Sequence, residues 1–186
     1  MIFEFGRDHP MRRLIVWAGM ALVVLAFTVP SMDATSATGT VAVTATTSGS
    51  INLIFVTDGA GITLGSSGTS AATIAFGTVQ AYGGSVPAGV TKTVNPPTDW
   101  SLSTPFDIEV DLANQTSTNY TLTGALQSSD VTNTWQLDAA TLSTTPATLT
   151  STGVYGSTPY TFKLTIPFSA TPGAVSNTIN ITATAN

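Results

Sequence analysis

The chain has 186 residues, no cysteine, one histidine and a formal net charge of −5. Its three arginines and its histidine all precede residue 14, and only two lysines follow residue 37. Beyond residue 37 the sequence therefore lacks the His and Cys ligands of common zinc sites, the relay side chains of a Ser-His or Cys-His nucleophile, and a basic patch for nucleic acid.

The first predicted element is an export signal over residues 1–37. Arg12 and Arg13 precede residues 14–29, a run of 16 uncharged and mostly apolar positions, which Pro30 and several small residues follow. This order of a basic, an apolar and a small-residue region is typical of a cleaved secretory signal. A retained membrane anchor is the alternative, but the run is shorter than the roughly 20 residues that a membrane span requires.

We expect cleavage after Ala37, with Ala34 as the alternative, so that the mature protein begins at Thr38. Residues 1–10 are interpreted as an extension before a true start at Met11. The protein is then predicted to be secreted, to an extracellular or cell-surface location, and to have no membrane span after signal cleavage.

Residues 38–186 are predicted to form a single all-β domain, because apolar and polar residues alternate along them. Alternation with period two buries one face of a strand and leaves the other in water, which is the pattern of antiparallel sheets. The predicted strands lie at residues 41–45, 51–56, 73–79, 100–102, 106–112, 120–126, 134–137, 147–150, 160–168 and 179–183. Eight to ten strands at this spacing favour an antiparallel two-sheet sandwich, with open barrels and jelly rolls as the alternatives.

The same alternation predicts which residues face the core. The predicted inward-facing residues are Phe106, Ile108, Val110, Leu122, Phe162, Leu164, Ile166, Ile179 and Ile181. Lys163 has the opposite parity to Phe162 and Leu164, so it is expected to face solvent.

Three stretches resemble a known family. The first is the alternating Thr-Val-Ala-Val-Thr-Ala at 40–45, and the second is Ile-Ala-Phe-Gly-Thr-Val at 74–79. The third is the C-terminal region, with Ile-Pro-Phe at 166–168, Pro-Gly at 172–173 and the last predicted strand at 179–183. In these the chain resembles secreted bacterial spore-coat-U-like proteins and the pilin-type subunits related to them. The resemblance implies an immunoglobulin-like β-sandwich with a role in surface structure or assembly, and it implies no catalytic residues. Members of that group often carry a cysteine pair, which this chain lacks.

Asp107, Glu109 and Asp111 form the densest group of acids. On one strand face such residues are about 7 Å apart, whereas Ca²⁺ requires six to eight oxygens converging at about 2.3–2.6 Å. The row is therefore interpreted as a solvated strand face. Neither these acids nor Lys92 and Lys163 lie in a recognisable catalytic motif, so the protein is predicted not to be an enzyme and to use no metal or cofactor.

The aromatic residues Trp100, Trp135, Tyr82 and Tyr155 suggest a sugar-binding platform, because aromatic rings stack on apolar sugar faces. The alternative is that both tryptophans fill the core, with Tyr155 exposed in a loop.

Two functions remain open. The first is a secreted, non-enzymatic structural or assembly protein of the cell surface, such as a fimbrium-like filament or coat subunit. It is favoured by the few charges, since lysine usually guards sheet edges against pairing. Self-association through strand pairing would then use the segment from Thr38 to Thr47 as a donor strand, although we expect this segment to be the first strand of its own domain.

The second function is that of a secreted, soluble binding module for polysaccharide. Other surface proteins are possible partners under either function.

Overall fold

Alternating side chains determine the fold, because a strand with one apolar face must bury that face against a second layer. In the computed structural model, which describes residues 40–186, nine strands form two antiparallel sheets, and no helix occurs in that range. The strands are β1 (Ser50–Val56), β2 (Thr91–Asn95), β3 (Asp99–Ala113), β4 (Tyr120–Leu126), β5 (Thr134–Leu137), β6 (Ala140–Thr141), β7 (Ala147–Gly153), β8 (Gly156–Pro167) and β9 (Ile179–Ala185). The prediction of an all-β antiparallel fold is confirmed, and the two sheets are consistent with a β-sandwich.

Two predictions concern residues before this range. The signal peptide at residues 1–37 and the mature start at Thr38 lie outside the described residues. Within residues 40–186, no helix is long and apolar enough to cross a membrane.

The two sheets differ in width. The larger sheet contains six strands in the order β1-β3-β8-β5-β6, with β2 also paired to β3. Because β8 occupies one edge of β3 from Asp99 to Val110, β1 and β2 share the other edge, β2 along residues 99–103 and β1 along residues 107–113. The smaller sheet contains only three strands, in the order β7-β4-β9.

The core lies between the sheets, on the face that the alternation predicts. Ile108 and Val110 of β3 and Tyr120 and Leu122 of β4 are all 0% exposed. Six of the nine residues predicted to be inside are buried, namely Phe106, Ile108, Val110, Leu122, Phe162 and Leu164. The other three, Ile166, Ile179 and Ile181, are half-buried and pack against that core.

The long connection between β1 and β2 also covers part of the larger sheet. Ile62 and Leu64 of this connection are buried in the core. The fully buried hydroxyl of Thr104 holds the connection in place, since it accepts a hydrogen bond from Ile62 N (2.9 Å) and donates one to Gly89 O (2.8 Å). A single side chain on β3 thus satisfies backbone groups at two points of the connection.

One predicted strand, at residues 73–79, is not a strand. The segment makes only an isolated bridge between Thr73 and Gly65. Gly77 has a φ of 66°, which is outside the extended region and interrupts the alternation. The apolar residues of this segment instead pack down onto the face of the larger sheet.

The segment before β1 is also not a strand, so the expectation that it forms the first strand of the domain is wrong for the residues described. Residues 40–49 have no strand structure, and the side chains of Val41 and Val43 are 88% and 85% exposed. The edge of β3 along residues 107–113 is occupied by Ser50–Val56, which carries larger apolar side chains than residues 40–49 and so buries more apolar area there.

Candidate functional site

An apolar groove opens on the inner face of the larger sheet. Three strands cannot cover a sheet that is five strands wide when neighbouring strands are about 4.8 Å apart, so part of this face has no strand above it. The groove has a volume of about 1490 Å³, and its floor includes Trp100 and Phe106 of β3 and Phe162 and Ile166 of β8. Loops and the edge of the smaller sheet form its sides.

The first side of the groove is the segment 72–81, from the connection between β1 and β2. The ring of Phe76 stacks on Phe162, with centroids 6.0 Å apart and planes 17° apart. The backbone N–H and C=O groups of residues 74–79 form no hydrogen bond to any other described residue. The backbone groups of this side are therefore available to a partner.

The second side consists of β9 and the residues that lead into it. Ile179 and Ile181 face the groove and are only half-buried. Within residues 40–186, β9 pairs with β4 alone, so the backbone groups along its other edge lack a strand partner. The Asn177 side chain fixes the start of this side, since its Nδ2 donates to Ser128 O (2.7 Å) and its Oδ1 accepts from Ser128 N (3.2 Å).

Charge is nearly absent from the groove. Of the lining residues within 40–186, only Asp130 is charged. Its carboxylate accepts hydrogen bonds from the backbone N–H groups of Thr132 and Asn133, from Asn133 Nδ2 and from Trp135 Nε1, at 2.8–3.0 Å. Burial raises its pKa, but these hydrogen bonds outweigh burial and lower the pKa of Asp130 to about 2.

An aromatic stack lies at one end of the groove. Tyr82 follows the last lining residue of the first side, and its ring lies on Phe168, which follows β8 at the end of the floor, with centroids 5.5 Å apart and planes 4° apart. Lys92 holds the main chain around Tyr82, because its Nζ donates to Gln80 O (3.1 Å) and Gly83 O (2.6 Å).

The charged residues singled out from the sequence lie elsewhere. Asp107, Glu109 and Asp111 lie on the outer face of β3, opposite the buried Phe106, Ile108 and Val110. Among residues 40–186, no group of three or more His, Cys, Asp or Glu could hold a metal ion. Lys163 lies on the outer face of β8, as its parity predicts, between Ser103 of β3 and Gln136 of β5.

The four aromatic residues do not form one platform. Trp100 and Trp135 are 8% and 6% exposed, which confirms that they fill the core. Tyr155 is half-buried rather than exposed, because its ring packs on Tyr120 and its hydroxyl donates to Asn119 O (3.1 Å). Only Tyr82 exposes most of its ring, at 63%.

No protein-family model matches the chain, and no curated protein is similar to it. The groove was not among the sites that the sequence suggested. The sequence indicates the groove only indirectly. Ile179 and Ile181 alternate like core residues, but the smaller sheet to which they belong has too few strands to bury them fully. Only the sheet order shows that β9 is an edge strand.

Proposed function

We propose that the protein is a secreted, non-enzymatic structural or assembly protein of the cell surface, whose copies associate by adding a strand to the groove beside β9. The observation that carries this proposal is a groove with an apolar floor, bordered on one side by the unpaired edge of β9 and on the other by residues 74–79, whose backbone groups also lack partners among the described residues. The proposal includes export by the signal peptide at residues 1–37 and an immunoglobulin-like arrangement of the sandwich.

Strand addition suits the groove because both of its sides supply main-chain partners. An extended guest next to β9 would hydrogen-bond to the free edge, while alternate side chains would fill the apolar floor. Apolar side chains fit the floor, which Trp100, Phe162 and Ile166 help to form, and a charged guest would find no opposite charge among the described lining residues, of which only Asp130 is charged. The guest must therefore be an uncharged, alternating segment.

The guest that we propose is the segment 40–47 of a second copy. Its sequence, Thr-Val-Ala-Val-Thr-Ala-Thr-Thr, is uncharged and places Val41, Val43 and Ala45 on one face. Both valines are almost fully exposed in the structure. Burial in a groove would remove that apolar surface from water.

The length of the segment also fits. From Phe162 to Phe168 the floor follows β8 and the residue after it for six residue steps, or about 20 Å at the usual rise of a strand. The six steps from Val41 to residue 47 give the same length. A one-residue shift would turn the valines away from the floor, so the floor would also set the register.

Such an association extends from copy to copy unless the rotation between copies closes it into a ring. The guest segment and the groove are different surfaces of the chain, so each copy uses one surface to bind and presents the other to the next copy. Repetition of this contact builds an open chain of subunits, which is the geometry of a filament.

The experiment compares two exposed valines. Val43→Asp places a charge on the proposed guest face, while Val154→Asp places the same charge on a valine that is 74% exposed and does not line the groove. We expect the wild type and Val154→Asp to form concentration-dependent oligomers in sedimentation velocity, and filaments in electron micrographs. Val43→Asp should stay monomeric with an unchanged unfolding curve.

Two results would contradict the proposal. The wild-type protein could remain monomeric at every concentration, which would remove the basis for self-association. Alternatively, both aspartate variants could assemble equally well, which would show that assembly does not use the segment.

A further inference from the structure

The segment 40–47 joins the domain far from the part of the floor that matches it in length. It leads into β1, whose first residue, Ser50, pairs with Ala113 at the last position of β3. The matching part of the floor begins at Phe162, which pairs with Thr104 of β3. Nine residue steps of β3 separate Thr104 from Ala113, or about 30 Å at the rise of a strand. This distance lies between the point where the segment is attached and the place where a guest would bind.

The point of attachment is fixed. All seven residues of β1 pair with β3, from Ser50 opposite Ala113 to Val56 opposite Asp107. The side chain of Gln115 lies against Gly49, so closely that a Cβ atom at Gly49 would overlap it. Ser48 is therefore the only residue between the segment and this fixed part of the chain.

We infer that the segment 40–47 cannot fill the groove of its own copy, so that the guest strand has to come from a second copy. This inference rests on the strand-addition function proposed above. Thr47 is three residue steps from Ser50 and reaches at most about 11 Å from it, which is far short of Phe162. With the guest reversed, Thr47 would have to lie beside Phe168, whose N–H binds Thr98 O, still further from Ala113. Both directions of insertion are thus excluded within one copy.

Partial insertion does not replace a guest from a second copy. Even if the segment turned back at Ser48 and ran straight toward the groove, Val41 is nine residue steps from Ser50 and reaches about 30 Å, which only brings it level with Phe162. Val43, two residues nearer to Ser50, would not reach the matching part of the floor. The floor beyond Phe162 would remain uncovered.

The short link determines what controls assembly. A strand that is tethered within reach of its own groove competes with other copies at an effective concentration in the millimolar range. Because the link in this chain is too short, the groove of each free copy stays available to a second copy. Association then depends on the concentration of other copies, and an open chain of subunits has one empty groove at one end and one free segment at the other.

The test lengthens the link in the full-length protein. About twenty Gly and Ser residues inserted between Ser48 and Gly49 would span the roughly 50 Å from Ala113 to the far end of the floor. We expect this variant to be monomeric in sedimentation velocity, because its own segment fills its groove. Below the self-association range, it should bind a fluorescent peptide with the sequence of residues 40–47 at least about tenfold more weakly than the wild type.

Two further variants serve as controls. An insertion of two residues at the same position leaves the link too short, so this protein should assemble like the wild type. Val43→Asp added to the long insertion should prevent the segment from entering the groove. That protein should be monomeric and should bind the peptide as tightly as the wild type, which distinguishes a filled groove from a damaged one.

The outcomes separate this inference from the function on which it rests. A long-insertion variant that assembles and binds the peptide like the wild type would overturn the inference and leave strand addition intact. A wild-type protein that excludes the peptide until Val43→Asp is introduced would also overturn it, since its own segment would then occupy the groove. If no variant binds the peptide and the wild type does not self-associate, strand addition is contradicted and the inference fails with it.

Discussion

The two ends of the sandwich use the same alternation but bury it to different depths. At the closed end, defined by Ile108, Val110, Tyr120 and Leu122, every one of these side chains is 0% exposed. At the open end, defined by Ile166, Ile179 and Ile181, the inward-facing side chains are only half-buried. Period two therefore fixes the face of a strand on which a residue lies, while the number of strands above that face fixes how deeply it is buried.

This difference separates residues that stabilise the fold from residues that are free to act in binding. A side chain buried on all sides contributes its full transfer free energy to folding, because no apolar area remains in water. A half-buried side chain retains apolar area that only a partner can cover. We therefore expect substitutions at the closed end to change stability, and those at the open end to change association.

The largest effect is expected at Phe162, where the floor of the groove meets the core. Phe162 is 3% exposed and packs against Trp135 and Phe76, with ring centroids at 5.9 Å and 6.0 Å. Phe162→Ala should lower the free energy of unfolding by about 3–5 kcal/mol, because it leaves a cavity between two rings. Urea denaturation measures this change. A loss under about 1 kcal/mol, the size typical of a surface position, would place this face of β8 in water.

The next prediction compares the two ends directly. Leu122→Ala removes a fully buried side chain at the closed end and should cost about 2–5 kcal/mol. Ile181→Ala removes a half-buried side chain of β9 and should cost about 1 kcal/mol, since the groove already exposes part of it. Peptide binding should show the reverse order, with weaker binding in Ile181→Ala. Equal losses of stability in both variants would remove the distinction between the two ends.

The alternation predicted most strands and their faces because the information is local. Residues 106–112 and 160–168 alternate without interruption, and they lie in β3 and, as far as Pro167, in β8. Residues 100–102 were expected to form a separate strand, yet they belong to β3, because the alternation continues through Thr104 with a hydroxyl in place of an apolar group. The sequence does not show that this hydroxyl would find backbone partners in the core.

Other features depended on pairing, which is not local. The strands β2 and β6 were not predicted, since five and two residues are too short for a clear period. The segment 73–79 has the composition of a strand, but no neighbouring strand pairs along it, and the groove exists for that reason. The groove could not be predicted from the sequence. It lies where the smaller sheet has no strand above the larger sheet, and the local sequence pattern does not show how many strands each sheet contains.

A smaller effect is expected at Asp130, at the rim of the groove. Hydrogen bonds from Asn133, Trp135 and Thr132 lower the pKa of this carboxyl from 3.8 to about 2 against the opposing effect of burial. The native state therefore favours the ionised form. Its stabilisation is complete above about pH 4 and is lost as the pH falls through about 2.

The variant Asp130→Asn should therefore lose about 1 kcal/mol of stability at pH 7, a value reduced from the full shift because water reaches the carboxylate. Denaturation at pH 7 and at pH 2 measures the loss. The difference between wild type and variant should shrink at pH 2, where about half of the native Asp130 side chains are protonated. A difference of the same size at both pH values would mean that the charge of Asp130 is not what its neighbours stabilise.

The smallest effect is expected on the outer face of β3, at the row of Asp107, Glu109 and Asp111. Glu109 lies between two like charges at about 7 Å, where the repulsion in water is about 0.6 kcal/mol per pair before salt screens it. Glu109→Gln should therefore stabilise the protein by a few tenths of a kcal/mol in low salt. Near 1 M salt, where the screening length is about 3 Å, it should have no measurable effect on stability.

Asp107→Asn and Asp111→Asn should change stability by less than about 0.5 kcal/mol and leave assembly intact, because these side chains lie on the face opposite the groove. Denaturation at both salt concentrations, with and without Ca²⁺, measures all three variants. A loss above about 1 kcal/mol, or a Ca²⁺-dependent gain that one variant abolishes, would show that the row binds a partner instead of facing solvent.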